Sequence, residues 1–353
     1  MNNTRHAAGS TFPRILIVGP AWVGDMVMAQ SLCITLKQRF PDCVIDVLAP
    51  AWSGPLLARM PEVHAAIELP VGHGEFGFGV RRSLGRSLRG RYYWAIITPR
   101  SWKKALVPFF AHVPRRTGYR GEWRYGLIND MRRLDKQMLP LAVQRYVALG
   151  LERDAVLPSP IPRPALRVDA ANHAHLLATL GLNTAKPVIA IAPGAEGPGK
   201  RWPGERYAEL SRRLIHGGKQ VWVFGSGKER DLGDEIRRVA GESVTNLCGR
   251  TRLEDVIDLM SLANIVVTND SGLMHVAAAV GARLVVIYGA SSPDYTPPLT
   301  DKAEIVRTPP DFSRPRDDDR SRNRTDFFSG ITVEMIEQSV LRPEGRTADS
   351  SLS

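Results

Sequence analysis

The chain has 353 residues, 43% of them hydrophobic and 24% charged, which suits a pair of globular domains of about 150 residues better than one core. No apolar run is long enough to cross a bilayer, because the nearest candidate, Leu273 to Ala290, contains His275 and Arg283. Net charge is +11, and the excess sits in the first half: residues 14–165 hold 22 Lys/Arg against 11 Asp/Glu, whereas residues 166–330 hold 22 against 21.

Cys33, Cys43 and Cys248 are odd in number and lack C-x-x-C spacing, which argues against both a disulfide framework and a zinc site. The opening residues MNNTRHAAGSTFP have no apolar core of a secretion signal, so the expected location is the cytoplasm.

Residues 1–13 read as a disordered tail. A first α/β domain is expected over 14–160, with strands at Arg14–Val18, Val44–Leu48, Ala65–Leu69 and Trp94–Thr98. Its helices fall near Gly24–Phe40, Arg81–Arg89, Lys103–Phe110 and Pro140–Gly150. The proline-rich segment LERDAVLPSPIPRPALRV carries neither period and predicts a linker, with a boundary near Pro160. The same rhythm restarts over 161–330. Strands are expected at Val188–Ala192, Val221–Gly225, Ile265–Thr268 and Leu284–Tyr288, and helices near Pro203–His216, Glu229–Val239, Leu253–Leu262 and Leu273–Val280. Pro309 to Ser329 is a charged, low-complexity loop, 331–341 holds a last helix, and 342–353 is a second disordered tail. The expected fold class is therefore α/β, with two Rossmann-like parallel sheets facing a central cleft.

Chemistry gathers where strands give way to helices. In TNDSGLMHVAAA, Thr268 to Ala279, a β-branched strand stops at Asp270 and a small-residue helix follows. The amides of Ser271, Gly272 and Leu273 would be first-turn donors for a diphosphate, with Asp270 beside them to grip hydroxyl groups. An ordinary helix cap by Asp270 or Ser271 explains the same residues. IAPGAEGPGKRWPGERYAEL offers a glycine loop with Lys200 as a point charge for an anion, though it is no Walker A sequence, and a surface loop is the bland alternative. VWVFGSGKERD puts Glu229 just past a strand, where a carboxylate holds ribose hydroxyls or simply caps a helix.

The first domain opens with GPAWVGDMVMAQ, which departs from the dinucleotide fingerprint. A carboxylate at that helix start would repel a pyrophosphate, so Asp25 is either a proton acceptor for an alcohol or an acid stabilised by the helix dipole. Arg81 to Arg133 holds 14 basic and two acidic residues, interleaved with aromatics. Such a surface seeks a polyanion, unless it is a solvated face. Arg100, Lys103, Lys104, Arg116, Arg120 and Arg124 are the candidates for gripping acidic groups. Leu106 to Phe110 reads as a buried helix or as a membrane contact.

These motifs resemble the ADP-heptose:lipopolysaccharide heptosyltransferases of glycosyltransferase family 9, and among them the heptosyltransferase II branch. The resemblance rests on GPAWVGDMVMAQSL, PAWSGPLLARMPEV, VGHGEFGFGVRRSLGRSLR, ALVPFFAHVPRRTGYRGEWRYGLIND, PGAEGPGKRWP, TNDSGLMHVAAA and YGASSPDYTPPL, spread over residues 14–308. It implies the two-domain GT-B architecture, no cofactor, no essential metal, and inverting transfer of L-glycero-D-manno-heptose from ADP-heptose to the first heptose of the lipopolysaccharide inner core.

By position it implies Asp25 as general base, with Gly194, Ala195, Lys200, Glu229, Asp270, Ser271, Gly272, Leu273 and His275 as donor contacts. Trp22, Gly24, Arg100, Lys103, Arg116, Arg120 and Arg124 are the expected acceptor contacts. Beyond Thr308 the chain departs from its relatives. The expected partners are the ADP-sugar, the inner-core acceptor and the cytoplasmic face of the inner membrane, without nucleic acid. The rival readings are a heptosyltransferase I acting on a Kdo acceptor, a nucleotide-sugar epimerase of the same architecture, and a non-enzymatic nucleic-acid-binding protein.

Overall fold

The computed structural model describes residues 13–72, 75–308 and 326–343. The chain divides into two compact units between Arg167 and Val168, past the expected boundary at Pro160. Most of the proline-rich segment therefore belongs to the first unit. Gln30 anchors it there, donating from Nε2 to the Ala165 carbonyl at 2.8 Å and accepting the Ala165 N–H at 3.1 Å.

The first unit is built on six parallel strands: β1 (Arg14–Val18), β2 (Val44–Ala49), β3 (Val63–Glu68), β4 (Trp94–Ile97), β5 (Arg115–Tyr119) and β6 (Asp130–Arg132), in the order β3-β2-β1-β4-β5-β6. Its helices are α1 (Val23–Arg39), α2 (Gly54–Ala58), α3 (Phe78–Ser87), α4 (Leu106–Phe110) and α5 (Ala142–Leu149). β1, RILIV, and β4, WAII, are buried almost throughout, as strands covered on both faces must be.

The second unit repeats the plan with β7 (Val188–Ala192), β8 (Gln220–Val223), β9 (Val244–Asn246), β10 (Ile265–Asn269), β11 (Leu284–Tyr288) and β12 (Ala303–Arg307), ordered β12-β11-β10-β7-β8-β9. Around them lie α6 (Ala170–Leu180), α7 (Gly204–His216), α8 (Arg230–Ala240), α9 (Leu253–Ser261), α10 (Gly272–Ala279) and α11 (Val333–Leu341). Advancing the first sheet's numbers by six reproduces the second, so both sheets wind out from a central strand in the Rossmann order. Helix α11 returns to this core: Ile336 and Val340 are buried among Val285, Ile287 and Val306.

This winding fixes where ligands can gather. The strand order reverses between β1 and β4, paired Val18 to Ile97, and between β7 and β10, paired Ala192 to Thr268. Loops leaving those strand ends diverge to opposite faces and open a crevice at each switch point. Asp25 and Arg100 follow β1 and β4, while Lys200 and Asp270 follow β7 and β10.

Some expected elements differ. The single helix over Lys103–Phe110 is a 3-10 turn, Trp102–Ala105, followed by α4, because Pro108 has no N–H to continue the ladder back to Lys104 and is tolerated only in a first turn. Helix α3 begins at Phe78, ahead of the expected Arg81, after Gly77 takes a left-handed φ of 53°. α7 starts at Gly204, so Pro203 occupies its cap instead of the first helical position. β5, β6, β9, β12, α2 and α6 were not anticipated. The expected tail over residues 1–13 and the charged loop over 309–329 fall mostly outside the described residues, as does the terminal tail after Pro343.

Candidate active site

In the second unit the site begins with Asn269, the last residue of β10. Its amide Nδ2 donates to the Pro193 carbonyl at 2.7 Å, and its Oδ1 accepts the Trp202 N–H at 3.1 Å. One buried side chain thus fixes both ends of the glycine loop after β7. Within the loop, Lys200 N–H donates to the Gly197 carbonyl at 3.1 Å, Arg201 Nε donates to the Ala195 carbonyl at 2.7 Å, and Ala290 N–H donates to the Gly199 carbonyl at 2.8 Å. Trp202 is buried edge-on against Tyr207, with ring centroids 4.9 Å apart, and its Nε1 donates to the Ile331 carbonyl at 3.2 Å. The loop, for which a surface loop was the bland alternative in sequence, is braced by Asn269, Ala290 and Trp202.

Lys200 is therefore presented with little freedom. Its Nζ lies 2.7 Å from Asp270 Oδ2, and the lysine side chain is 38% exposed while the aspartate is 5% exposed. A buried carboxylate holding a half-exposed ammonium leaves the positive charge facing outward. Behind the pair, His275 is buried, and its pKa is pushed down to about 4 by desolvation, with Asp270 opposing and Lys200 adding to the shift. The imidazole is neutral at physiological pH, so it adds a donor and an acceptor but no charge.

Helix α10 starts beside this pair. Ser271 caps it with extended dihedrals, φ −144° and ψ 172°, and makes no side-chain cap bond; its Oγ sits 3.3 Å from Thr268 Oγ1. Ser271, Gly272 and Leu273 are half-buried, so the first-turn amides and the positive end of the helix dipole stay accessible next to Lys200. The side-chain cap foreseen as the alternative is absent from Ser271, and Asp270 is engaged with Lys200.

Glu229 caps the turn that follows β8. Its Oε2 accepts from Ser226 N–H at 2.8 Å and from Ser226 Oγ at 2.7 Å, closing a capping box in the loop after β8. The same carboxylate lies against Gly194, where an added Cβ would stand 3.0 Å from Cδ and 3.2 Å from Oε1. Gly194, Ala195, Lys200, Glu229, Asp270, Ser271, Gly272, Leu273 and His275 therefore border three adjacent strand ends of one sheet, β8, β7 and β10. Among the described residues no three His, Cys, Asp or Glu side chains gather to hold a metal ion.

In the first unit Asp25 stands in the first turn of α1, half-buried, after the uncapped Trp22. Tyr146 Oη, from α5, donates to Asp25 Oδ1 at 2.7 Å. Helix α5 is itself fixed, because Arg132 Nη1 donates to the Ala148 carbonyl at 2.7 Å and Tyr119 Oη donates to the Arg145 carbonyl at 2.9 Å. Tyr146 was not anticipated, and neither was the bracing role of Asn269.

The acceptor candidates divide. Trp22 is 53% exposed, Arg100 and Arg120 are exposed, and Lys103 Nζ lies 5.8 Å over the Phe76 ring. Gly24 is buried, so it contributes backbone only. Arg124 does not fit the expected role: it is fully buried, donating to the Pro99 carbonyl at 2.7 Å and to the Tyr119 carbonyl, and burial pushes its pKa down to about 10. Arg116 is partly spent as well, with Nε on the Leu127 carbonyl at 2.7 Å and Nη1 on the Val113 carbonyl at 2.6 Å. Both guanidiniums satisfy loop carbonyls that the short strands leave unpaired.

The family described as "Glycosyltransferase family 9 (heptosyltransferase)" matches residues 81–323. The chain is 47% identical over 346 residues to lipopolysaccharide heptosyltransferase 2 of Salmonella typhimurium strain LT2, covering 94% of this chain and 99% of that one. It is also 47% identical to lipopolysaccharide heptosyltransferase 2 of Escherichia coli strain K12, covering 92% of this chain and 96% of that one. The solved structure of E. coli ADP-heptose lps heptosyltransferase II superposes with a TM-score of 0.84 at 44% identity, covering 93% of this chain and 97% of that chain. The chain therefore belongs to glycosyltransferase family 9, the heptosyltransferases.

Proposed function

We propose that the protein is an inverting heptosyltransferase that moves L-glycero-D-manno-heptose from ADP-heptose to the first heptose of the lipopolysaccharide inner core. The observation that carries this reading is the near full-length 47% identity to lipopolysaccharide heptosyltransferase 2 of two enteric bacteria. The braced Lys200–Asp270 pair at the switch point of the second sheet supports it, since that is where a nucleoside diphosphate would be held.

In this mechanism Asp25 accepts the proton of the acceptor hydroxyl as the oxygen attacks the anomeric carbon. The bond from that carbon to the diphosphate breaks on the opposite face, and ADP leaves with the electron pair. One displacement gives inversion and needs one acid–base group. A carboxylate is a weak base for an alcohol, but in an oxocarbenium-like transition state the proton moves late, and general-base help is worth about 10²–10⁴-fold. Charge on the departing diphosphate meets Lys200 and the amides of Ser271, Gly272 and Leu273, which are preorganised donors. Glu229 receives the ribose hydroxyls through Oε1, while Oε2 stays on Ser226. Arg100, Lys103 and Arg120 face the acidic groups of the acceptor, and Trp22 offers a ring to a sugar face.

The protein acts in the cytoplasm, meeting its lipid-anchored acceptor at the inner face of the inner membrane; no helix among the described residues is long and apolar enough to cross that membrane. Offering purified protein ADP-heptose with two acceptors, one ending in Kdo and one in a single heptose, tests the reading. Mass and linkage analysis should find one added heptose on the heptose-terminated acceptor. Transfer to the Kdo-terminated acceptor alone would move the protein to the first step of core assembly.

A further inference from the structure

Five aromatic rings form an unbroken series on the first unit. Trp102 and Phe76 have centroids 5.0 Å apart, Phe76 and Phe78 5.7 Å, Phe78 and Phe110 5.6 Å, and Phe110 and Phe109 5.4 Å. A series of this kind normally closes a core, yet Phe78 is 46% exposed, Phe76 40% and Phe109 38%. The rings come from the turn before α3, from the start of α3, from the 3-10 turn Trp102–Ala105 and from α4. Gly85 lets the two helices meet, since a Cβ there would lie 2.6 Å from Phe110 Cβ and 2.7 Å from the Val107 carbonyl oxygen. Contiguous exposed apolar surface on a rigid base marks a contact site.

The charge around it has one sign. From Phe76 to Gly121 the chain has 11 Lys/Arg and no Asp/Glu. Arg82, Arg86 and Arg89 are exposed on and just beyond α3. Lys103 Nζ lies 5.8 Å over the Phe76 ring, Arg116 Cζ 5.8 Å over the Phe109 ring, and Arg89 Nε donates to the Phe110 carbonyl at 3.2 Å. Glu75 borders the patch, its carboxylate accepting the Gly72 N–H at 3.1 Å.

We propose that this surface, with Phe76, Phe78 and Phe109 at its centre and Arg82 and Arg86 at its rim, docks on an anionic lipid bilayer. It rests on the reading that the acceptor is lipid-anchored and deepens it by assigning the face that meets the lipid. Aromatic rings sit at headgroup depth, and arginines beside them meet anionic headgroups. A nucleic-acid platform fits less well, because base stacking needs open ring faces and these rings lean on one another at interplanar angles of 40° to 82°. A second copy would bring two basic rims together. Along Leu106 to Phe110, which reads in sequence as a buried helix or a membrane contact, Leu106, Val107 and Pro108 are buried and Phe109 is 38% exposed.

Flotation of the full chain with phosphatidylethanolamine–phosphatidylglycerol vesicles, against phosphatidylcholine vesicles, reads the proposal directly. Binding should favour the anionic vesicles and weaken as salt rises. The pair Phe78→Ser, Phe109→Ser and the pair Arg82→Glu, Arg86→Glu should each lower partitioning by about tenfold or more. Both variants should keep the wild-type circular dichroism and turnover on a delipidated acceptor. No preference for anionic vesicles, or variants that float like the wild type, would overturn the assignment. Patch-dependent dimers or patch-dependent RNA binding without vesicle binding would overturn it too. Failure on the delipidated acceptor by the wild type would instead count against heptosyl transfer, while flotation still reports on the patch.

Discussion

Tyr146 donates its hydroxyl hydrogen to Asp25 Oδ1 over 2.7 Å, joining two helices whose residues lie 121 positions apart. The bond holds the carboxylate in one orientation, as a general base needs. Tyr146→Phe keeps the ring and removes the bond. Turnover should fall about tenfold, near the worth of one hydrogen bond to a charged group. ADP-heptose affinity should not change. Undiminished turnover would reduce Tyr146 to a packing residue.

Lys200 and Asp270 make a second separable pair. Lys200→Ala removes the charge facing the diphosphate and strands an aspartate that is 5% exposed. ADP affinity should drop by about 10- to 100-fold, and the melting temperature should fall with it. Adding Asp270→Asn should recover part of the stability and none of the affinity. Calorimetry with ADP and thermal melts of the single and double variants separate the two effects.

His275 sets a pH dependence of stability. Its folded pKa of about 4 lies below the ordinary histidine value, because burial disfavours the charged ring. Between those values the unfolded chain binds more protons than the folded one, so stability is lost as pH falls from about 6.5 toward 4. The contribution is at most about 1.4 kcal/mol per pH unit in that window. Denaturant midpoints for the wild type and His275→Gln should converge in slope above pH 7, with the variant losing less below it.

Glu229 should split by ligand. Glu229→Gln keeps an acceptor for Ser226 but weakens ribose binding, so ADP affinity should fall about tenfold while 2′,3′-dideoxy-ADP is little affected. Ser226→Ala, which disturbs only the cap, should cost about 1 kcal/mol of stability and leave ADP affinity near wild type. Equal losses for both nucleotides in Glu229→Gln would confine the residue to capping.

Among the basic residues, Arg124 and Arg120 should behave oppositely. Removing the fully buried Arg124 leaves the Pro99 and Tyr119 carbonyls without their donor, so Arg124→Ala should destabilise the fold by about 3 kcal/mol or more. Arg120 is exposed, and Arg120→Ala should raise the acceptor KM with no change in melting temperature. Thermal melts beside acceptor saturation curves decide the matter.

Much of this was legible because buried parallel strands write themselves as apolar runs: RILIV, VIAIA and IVVTN stand out, and the strand-to-helix junctions after them locate Asp25, Lys200 and Asp270. The missed strands carry polar residues in short segments. β5 begins with two arginines, β6 and β9 have three residues each, and β12 is half open to solvent. Helix α6 escaped because Leu176 is its one buried residue, too little to make a stripe. Tyr146 could not be found from local pattern, since its partner is set by packing of α5 on α1. Arg124 was misjudged for the complementary reason: an arginine that pins loop carbonyls reads in sequence like one that faces solvent.

The most direct test compares wild type with Asp25→Asn in the same preparation, measuring heptose transfer by product mass and ADP-heptose binding by calorimetry. The wild type should transfer one heptose, the variant should lose about 10²–10⁴-fold in turnover, and its donor affinity should stay within about twofold. Undiminished turnover in Asp25→Asn would contradict the role of Asp25 as general base.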